Sequence, residues 1–567
     1  MIARPSRKAA TTADFLISRK LSDAIVSEFE TLLFREVRYD HRIAYLASTW
    51  MSKYVDPLEK EGSADRRARA IEKWLAAEAV NAITNERLFD LTLDDEIVFE
   101  NVTVERLFIQ VRREVFRIVG NSPNLDIALG GFSGGATTSK KRTQGHPALK
   151  FRDEADATPE AWVEFHRRLD ADDAWARHMH DTGRCGRVVR GNVLFTVPKS
   201  SDIDRVACKE PDINVFMQKG LGDQLRRKLR TRAGINLNDQ RINQRLAKQG
   251  SLNGNLATLD LSSASDSVTT AFVMRSVPTD WYDALDTVRS RKTDIDGTWH
   301  ECQMFSSMGN GFTFELESLL FFALAKSVAY LLKIKGTISV YGDDLIVPVD
   351  MVEPFIMALK YCGFTTNASK SFWSGEFRES CGAHWRNGID VTPFYLRGPI
   401  TRLSDLILFL NNVTEHGTRD LGVLDYRYYD FLLKWREHVP KSLWGGQRFG
   451  SRNALVTGDR PRKELKFITD DRQHRHIGGY LSWLHGTLTR SPGKPYLLNG
   501  DRYFWLREFR RDPKGYTTME CLETSSGSQT SEFDAVERPS FARKRKSHDL
   551  VNTDLPYFPD YRQVSGE

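Results

Sequence analysis

The spacing of apolar residues changes character along the chain, and those changes predict its elements. Residues 72–89, EKWLAAEAVNAITNERLF, are rich in Ala, Glu and Leu, strong helix formers, and the first 120 residues read as helical. Leu221, Leu225 and Leu229 recur four apart among Arg226, Arg227, Lys228 and Arg230, predicting a helix that opens near residue 212 and stops at Gly234. LFTVPK at 194–199 reads as a strand, and LATLD at 256–260 as a short buried strand ending in an acid. SSMGNG at 306–311 is a small-residue loop feeding the long apolar helix FTFELESLLFFALAKSVAYLL. TISVYGDDLIVPV at 337–349 places two β-branched runs around Gly-Asp, a hairpin signal. A helix near 352–362 and a strand-rich stretch to about 397 follow. A folded helical region to about 511 is expected next, then a polar, Ser-rich, flexible tail. No internal repeat is evident. The pattern predicts an α+β protein with an antiparallel sheet among mostly helical surroundings.

Composition narrows the class. In 567 residues, 40% are hydrophobic and 28% charged, which excludes collagen-like, mucin-like and wholly disordered chains. The most apolar stretch, 318–332, is interrupted by Lys326 and falls short of the roughly 20 residues a spanning helix needs. The first residues, MIARPSRKAATTADF, are basic but carry no apolar core, so no secretory signal is expected. Six cysteines without paired spacing fit free thiols in a reducing compartment.

Net charge is +6, and it is unevenly spread. Residues 199–248 hold twelve Lys or Arg against six Asp or Glu; residues 133–152 hold five basic residues and no acid. Such concentration suits a polyanion, with solvated helix faces as the plainer alternative. Lys140, Lys141, Arg142, Arg226, Arg227 and Arg230 are the candidate contacts to such a polyanion.

Asp343 and Asp344 stand together at the hairpin tip, where adjacent carboxylates repel unless a cation joins them. A Gly-Asp-Asp alone is a weak signal, since a turn explains Gly342 and Asp343 too. Asp260 at the end of a buried strand could join them, forming an oxygen cage suited to magnesium. The loop at 306–311, with Asn310, could approach a ligand closely. Lys199, Arg205 and Lys209 precede both, as a triphosphate would require. Asp181-Thr182-Gly183 matches a protease tripeptide, but its polar flanks favour a turn. His178, His180 and Cys185 lack a fourth zinc ligand. No G-x-x-x-x-G-K-[ST] occurs, against a P-loop ATPase.

The segments LAAEAVNAITNERL, FSGGATT, TVPKSSDIDR, GINLNDQRINQR, NLATLDLSSASDS, SSMGNGFTFELESL, VYGDDLIVP, GFTTNASKSF, FRESCGAHW and DVTPFYLR occur in this order. In them the chain resembles the RNA-dependent RNA polymerase subunits of single-stranded RNA bacteriophages, the levivirus replicases. The resemblance covers about residues 45–412. It implies a right-hand polymerase: a helical region at 1–120, fingers at 121–250, palm at 251–397, thumb at 398–520 and a tail at 521–567. It implies catalysis by Asp260, Asp343 and Asp344 with two Mg2+ ions, and Lys370 as a candidate general acid for pyrophosphate. Lys199 and Arg205 would neutralise the triphosphate. Ser306, Ser307, Gly309 and Asn310 would check the ribose 2′-hydroxyl and template base. In polymerases the usual partner of this Asn is a second acid five residues after the first; here that position is Ser265 and the acid, Asp266, falls one later, so the ribose contact is placed at Asp266. Cys381 falls in the motif beside the primer terminus and is given a packing role. Expected partners are template and product RNA, ribonucleoside triphosphates, host elongation factors Tu and Ts and a host ribosomal protein, with no membrane, in the cytoplasm of the infected bacterium. A reverse transcriptase and a non-catalytic RNA-binding phage protein are the alternatives.

Overall fold

The computed structural model describes residues 16–37, 40–56, 60–126, 129–145, 150–151, 154–169, 186–419, 422–446, 448–452, 454–457, 464–467 and 541–545. The protease-like tripeptide, the histidines at 178 and 180, Cys185 and nearly all of the expected tail lie outside them. Among the described residues no helix is long and apolar enough to cross a membrane.

The main core is built on the helix Thr313–Leu331, which is buried along nearly its whole length. A helix that is apolar all round belongs inside a protein, and this one is enclosed by the helices Val104–Val119 and Asp212–Lys228. Its Phe321 meets Phe364 edge to face at 4.9 Å between ring centres. Beside it lies a three-stranded antiparallel sheet ordered Ser339–Tyr341, Asp344–Pro348, Leu256–Leu259. The hairpin expected at 337–349 is present, with Tyr341 opposite Asp344. The helix braces its tip, because Ser318 Oγ accepts a hydrogen bond from the Gly342 N–H at 3.0 Å.

A second sheet, ordered Thr298–Glu301, Lys292–Ile295, Asn192–Pro198, Asp204–Lys209, carries the other basic motif. Its hairpin turns at 199–203, where Ser200 Oγ accepts from the N–H groups of Asp202 and Ile203, both at 3.3 Å. The helix with the Arg-rich face spans Asp212–Lys228 and continues as a π-helical turn over Leu229–Ala233 before Gly234, which takes φ +74° as the stop signal requires.

The helices of the first 120 residues divide between cores. Arg19–Glu36 and His41–Thr49 pack against residues 396–456, including the helix Leu403–Thr418, through Phe29, Trp50, Phe409 and Phe431. Lys60–Phe89 instead lies against the second sheet and the main core. Periodicity marks each helix but not its partner.

Phe321 has no exposed surface. Phe321→Ala should cost about 3–5 kcal/mol, because the surrounding helices cannot close the cavity. Denaturant melts of the two proteins measure this, and a loss below about 1 kcal/mol would mean the site collapses freely.

Candidate active site

The register between Leu256–Leu259 and Asp344–Pro348 brings the acids together. Leu259 pairs with Leu345, and the pairing runs on through Thr258–Ile346 and Ala257–Val347. One step beyond, Asp260 stands opposite Asp344 at the open end of the sheet, with Asp343 in the adjoining turn. Gly342, before it, has φ +61°, and a Cβ there would sit 2.6 Å from Phe314 Cε2. The turn therefore needs glycine for both conformation and space.

Each of the two strand-end acids is held by a local donor. Asp344 Oδ1 accepts from the Cys381 N–H at 2.9 Å and from Ser380 Oγ at 3.2 Å. Asp260 Oδ2 accepts from Asn367 Nδ2 at 2.8 Å, and the Asp260 N–H donates to Ser371 Oγ at 3.1 Å. Cys381 lies in the tight turn between strands Phe377–Ser380 and Ala383–Arg386, at φ +50°, followed by Gly382 at φ +71°. A non-glycine residue in the left-handed region is strained, and here the strain aims an N–H at a carboxylate. Packing alone does not describe Cys381.

The electrostatics are those of crowded acids. Burial, with the negative charges of Asp343 and Asp260, pushes the Asp344 carboxyl up to about 6. Burial also raises Asp260, Asp343 adding to it, while Lys370 and the bond from Asn367 oppose it. The cage expected from the sequence is not closed: among the described residues no three His, Cys, Asp or Glu side chains converge tightly enough to hold a metal ion. Repelling carboxylates turn to their own donors. The donor set still fits a hard divalent cation: all-oxygen, acidic, and destabilised by its own charge.

Cations face these acids. Burial lowers the Lys199 ammonium, and so do Arg205, Lys73 and Lys370; Asp260 opposes them. Asp266 is pushed up to about 6, by burial first and Glu78 second, with Lys199, Lys73 and Arg205 pulling it down. The basic motif and both sequence-distant acids thus share one electrostatic neighbourhood. Lys370 is exposed in the loop after Asn367, and it is the strongest cation felt by Asp260.

The small-residue loop is fixed against the second sheet. Met308 O accepts from the Cys208 N–H at 2.8 Å, and a Cβ on Gly309, at φ +116°, would lie 2.1 Å from Cys208 O. Ser307 Oγ accepts from Asn192 Nδ2 at 3.1 Å, and Ser306 Oγ from Thr313 Oγ1 at 2.9 Å. Both serines are buried, so their hydroxyls serve the loop's own shape rather than a ligand. Asn310 Oδ1 accepts from the Phe312 N–H at 2.9 Å, leaving its amide N–H groups for other partners.

The basic patches are less uniform than their sequence. Arg226 Nε donates to Glu315 at 2.8 Å, and its Nη1 to Leu237 O and Asn238 at the same distance. It is committed internally. Arg227, Arg230, Lys141 and Arg142 are exposed, Lys140 half-buried. Lys150 is buried, its Nζ donating to Ser133 O and Gly135 O, both at 2.8 Å, and so holds the Gly-rich loop.

A family model described as RNA replicase, beta-chain matches residues 17–467. The chain belongs to that family. The RNA-directed RNA polymerase beta chain of Enterobacteria phage fr is 40% identical over 408 residues, 71% of this chain and 73% of that one. The RNA-directed RNA polymerase subunit beta of Escherichia virus Qbeta is 43% identical over 408 residues, covering 71% and 67%. Among solved structures, the RNA-dependent RNA polymerase of a human picorbirnavirus overlaps 44% of this chain and 57% of that one at 14% identity, with a TM-score of 0.33, too partial a match to bear on the fold.

Within this replicase chain, the segment LAAEAVNAITNERL supplies site neighbours to which no role was assigned. Glu78 Oε1 accepts from the Met304 N–H at 2.9 Å, and Asn81 Nδ2 donates to Asp266 O at 2.7 Å. Asn85 Nδ2 donates to Gln303 O at 2.9 Å. These side chains form a buried polar stripe at i, i+3 and i+7 on Lys60–Phe89. Lys53 and Lys73 lie outside the quoted motif segments, whereas Arg397 closes DVTPFYLR.

Two outcomes test this geometry. Asp344 carries a raised carboxyl pKa in the folded state, so its charge penalty is present above about pH 6 and gone below about pH 4. In chelator at pH 7.5, Asp344→Asn should melt above the parent, by up to about 3 kcal/mol of stability, and the gap should close on acidification. A parent more stable than the variant at pH 7.5 would show the acids are not crowded. Gly309→Ala should cut nucleotide incorporation at least about tenfold, through strain of roughly 1–3 kcal/mol in the loop; unchanged kinetics would mean the loop yields.

Proposed function

We propose that this chain is the catalytic subunit of an RNA-directed RNA polymerase that copies a single-stranded RNA phage genome. The observation that carries the proposal is the strand register setting Asp260 opposite Asp344 at the tip of the Gly-Asp-Asp hairpin, within a chain of the replicase beta family. Its relatives in phage fr and virus Qbeta carry that activity in their names. In this reading residues 251–397 are the palm, 121–250 the fingers and 398–520 the thumb.

Asp260, Asp343 and Asp344 would hold two Mg2+ ions. When bound, such ions lower the pKa of the attacking 3′-hydroxyl and neutralise charge on the leaving pyrophosphate. The protein's own work is positioning, as phosphoryl transfer generally asks. Cys381 N–H and Asn367 fix the orientation of two acids, so each keeps a free oxygen. Lys199 and Arg205 neutralise the triphosphate, and Lys370 is the candidate proton donor to pyrophosphate. Asp266 and the amide of Asn310 read the ribose and the paired base; a site built to bond the 2′-hydroxyl disfavours a deoxynucleotide that leaves it unpaired. Arg227, Arg230, Lys140, Lys141 and Arg142 supply RNA affinity. Arg226 is assigned to holding Glu315, not RNA. Host elongation factors Tu and Ts and a ribosomal protein complete the proposed assembly, in the cytoplasm of the infected host.

Asp343→Asn should reduce template-directed incorporation at least about a thousandfold. Filter binding should find RNA affinity within about twofold, since phosphate contacts supply it. A parallel loss of both would remove Asp343 from catalysis. RNA affinity should also fall steeply with salt, about −0.7 in log–log slope per neutralised phosphate; a flat response would remove the basic surface from RNA binding.

A further inference from the structure

Beside the acids lies a cavity of about 610 Å3 that no step above uses. It opens between the helix His41–Thr49 with the segment after it, the loop holding Lys370, and the stretch 377–395. Its volume falls in the range of sites that take one small molecule, below what a duplex needs.

The walls have two kinds of surface. Tyr45, Phe372, Phe377 and Tyr395 are half-buried and face it with ring surface. Lys53 and Lys370 also line it, and among the described residues neither makes an ion pair. Lys53 stands over the Tyr395 ring, 3.5 Å from its centre, a contact that orients the ammonium without neutralising it. Of the other charged groups in the lining, Glu379 acts on both lysines and Arg386 lies beside an acid of its own. Glu379 lies 3.2 Å from His384, and Arg386 is 3.7 Å from Glu376. His384 is kept neutral by burial, and its Nδ1 shares a 2.7 Å hydrogen bond with the Tyr45 hydroxyl. The cavity therefore offers aromatic faces together with an excess of positive charge, Lys53 and Lys370 set against Glu379.

That combination selects a molecule with a flat ring and a polyanionic tail. The tail has a path onward, because Lys370 also acts on Asp260, while Arg205 and Lys370 both act on Lys53. We propose that this cavity is a waiting site for the incoming ribonucleoside triphosphate, with the phosphates on Lys53 and Lys370 and the base against Tyr395 and its aromatic neighbours. The nucleotide would pass from it to Lys199, Arg205 and the three aspartates. Lys53, from a segment remote in sequence from every polymerase motif, is then a specificity residue for polyphosphate. The inference rests on the polymerase reading above.

The test uses the chain as it assembles in the expressing bacterium, on a primed cytidine homopolymer with GTP. Lys53→Gln should raise KM for GTP about tenfold, the loss of one charge-assisted phosphate contact. kcat should stay within about twofold, because the contact is not made to the reacting atoms. Lys53→Arg should recover most of the loss, and Tyr395→Leu should raise KM for GTP while leaving KM for pyrophosphate in the reverse reaction unchanged. Three results would overturn the proposal. An unchanged KM would empty the cavity of function. An equal rise in KM for pyrophosphate would make it a product site. A matching loss of RNA affinity by filter binding would give it to the RNA terminus. If the parent protein incorporates no GTP, the polymerase reading itself has failed, and that result is separate from all of these.

Discussion

One backbone register governs the candidate active site. Leu256–Leu259 and Asp344–Pro348 pair so that their ends coincide, and the residue past one end meets the first residue of the other. A slip of one residue would turn Asp260 to the opposite face of the sheet, since side chains alternate along a strand. The slip is resisted because these strands are buried, with Leu256, Ala257, Leu259, Leu345, Ile346 and Val347 all in the interior. The hydrophobic core thus fixes the position of carboxylates that would otherwise repel one another. Glycine at 342 and the brace from Ser318 then set the third acid.

The rest of the site is brought to that edge by separate supports. The second sheet presents Lys199 and Arg205 on one hairpin and grips the loop 306–311 with the strand that carries Arg205. The hairpin of the Phe377–Ser380 and Ala383–Arg386 strands gives an N–H to Asp344. The helix Lys60–Phe89 holds the turn carrying Asp266 from behind through Asn81. Acids and bases from five stretches of chain therefore share one low-dielectric neighbourhood; burial first, and neighbouring acids second, raise the carboxyl pKa of Asp344 and Asp266.

Much of this was legible before any coordinates. The hairpin, the apolar helix, the strand ending in Asp260 and the Arg-rich helix all carry period or turn signals, because each is decided locally. What periodicity could not supply is which distant segment packs on which. The split of the N-terminal helices between two cores depends on tertiary fit, as does the withdrawal of Arg226 to Glu315 and of Lys150 to the Gly-rich loop. A charge in sequence says nothing of whether a partner waits for it in space. The same reason hid Lys53, which acquires meaning only beside Tyr395 and Lys370. The serines at 306 and 307 suited a ligand by composition, yet their hydroxyls are taken by Thr313 and Asn192.

The central claim is that Asp260 and the Asp343–Asp344 pair, far apart in sequence, act on the same divalent cations. Iron-directed cleavage tests it without reference to activity. Fe2+ replacing Mg2+ generates radicals that cut the backbone within a short radius of the bound ion. The account predicts that one bound-iron experiment yields cuts beside both residue 260 and residues 343–344, with both suppressed together by excess Mg2+. Cleavage at only one of the two segments, or cuts that Mg2+ fails to suppress, would contradict it.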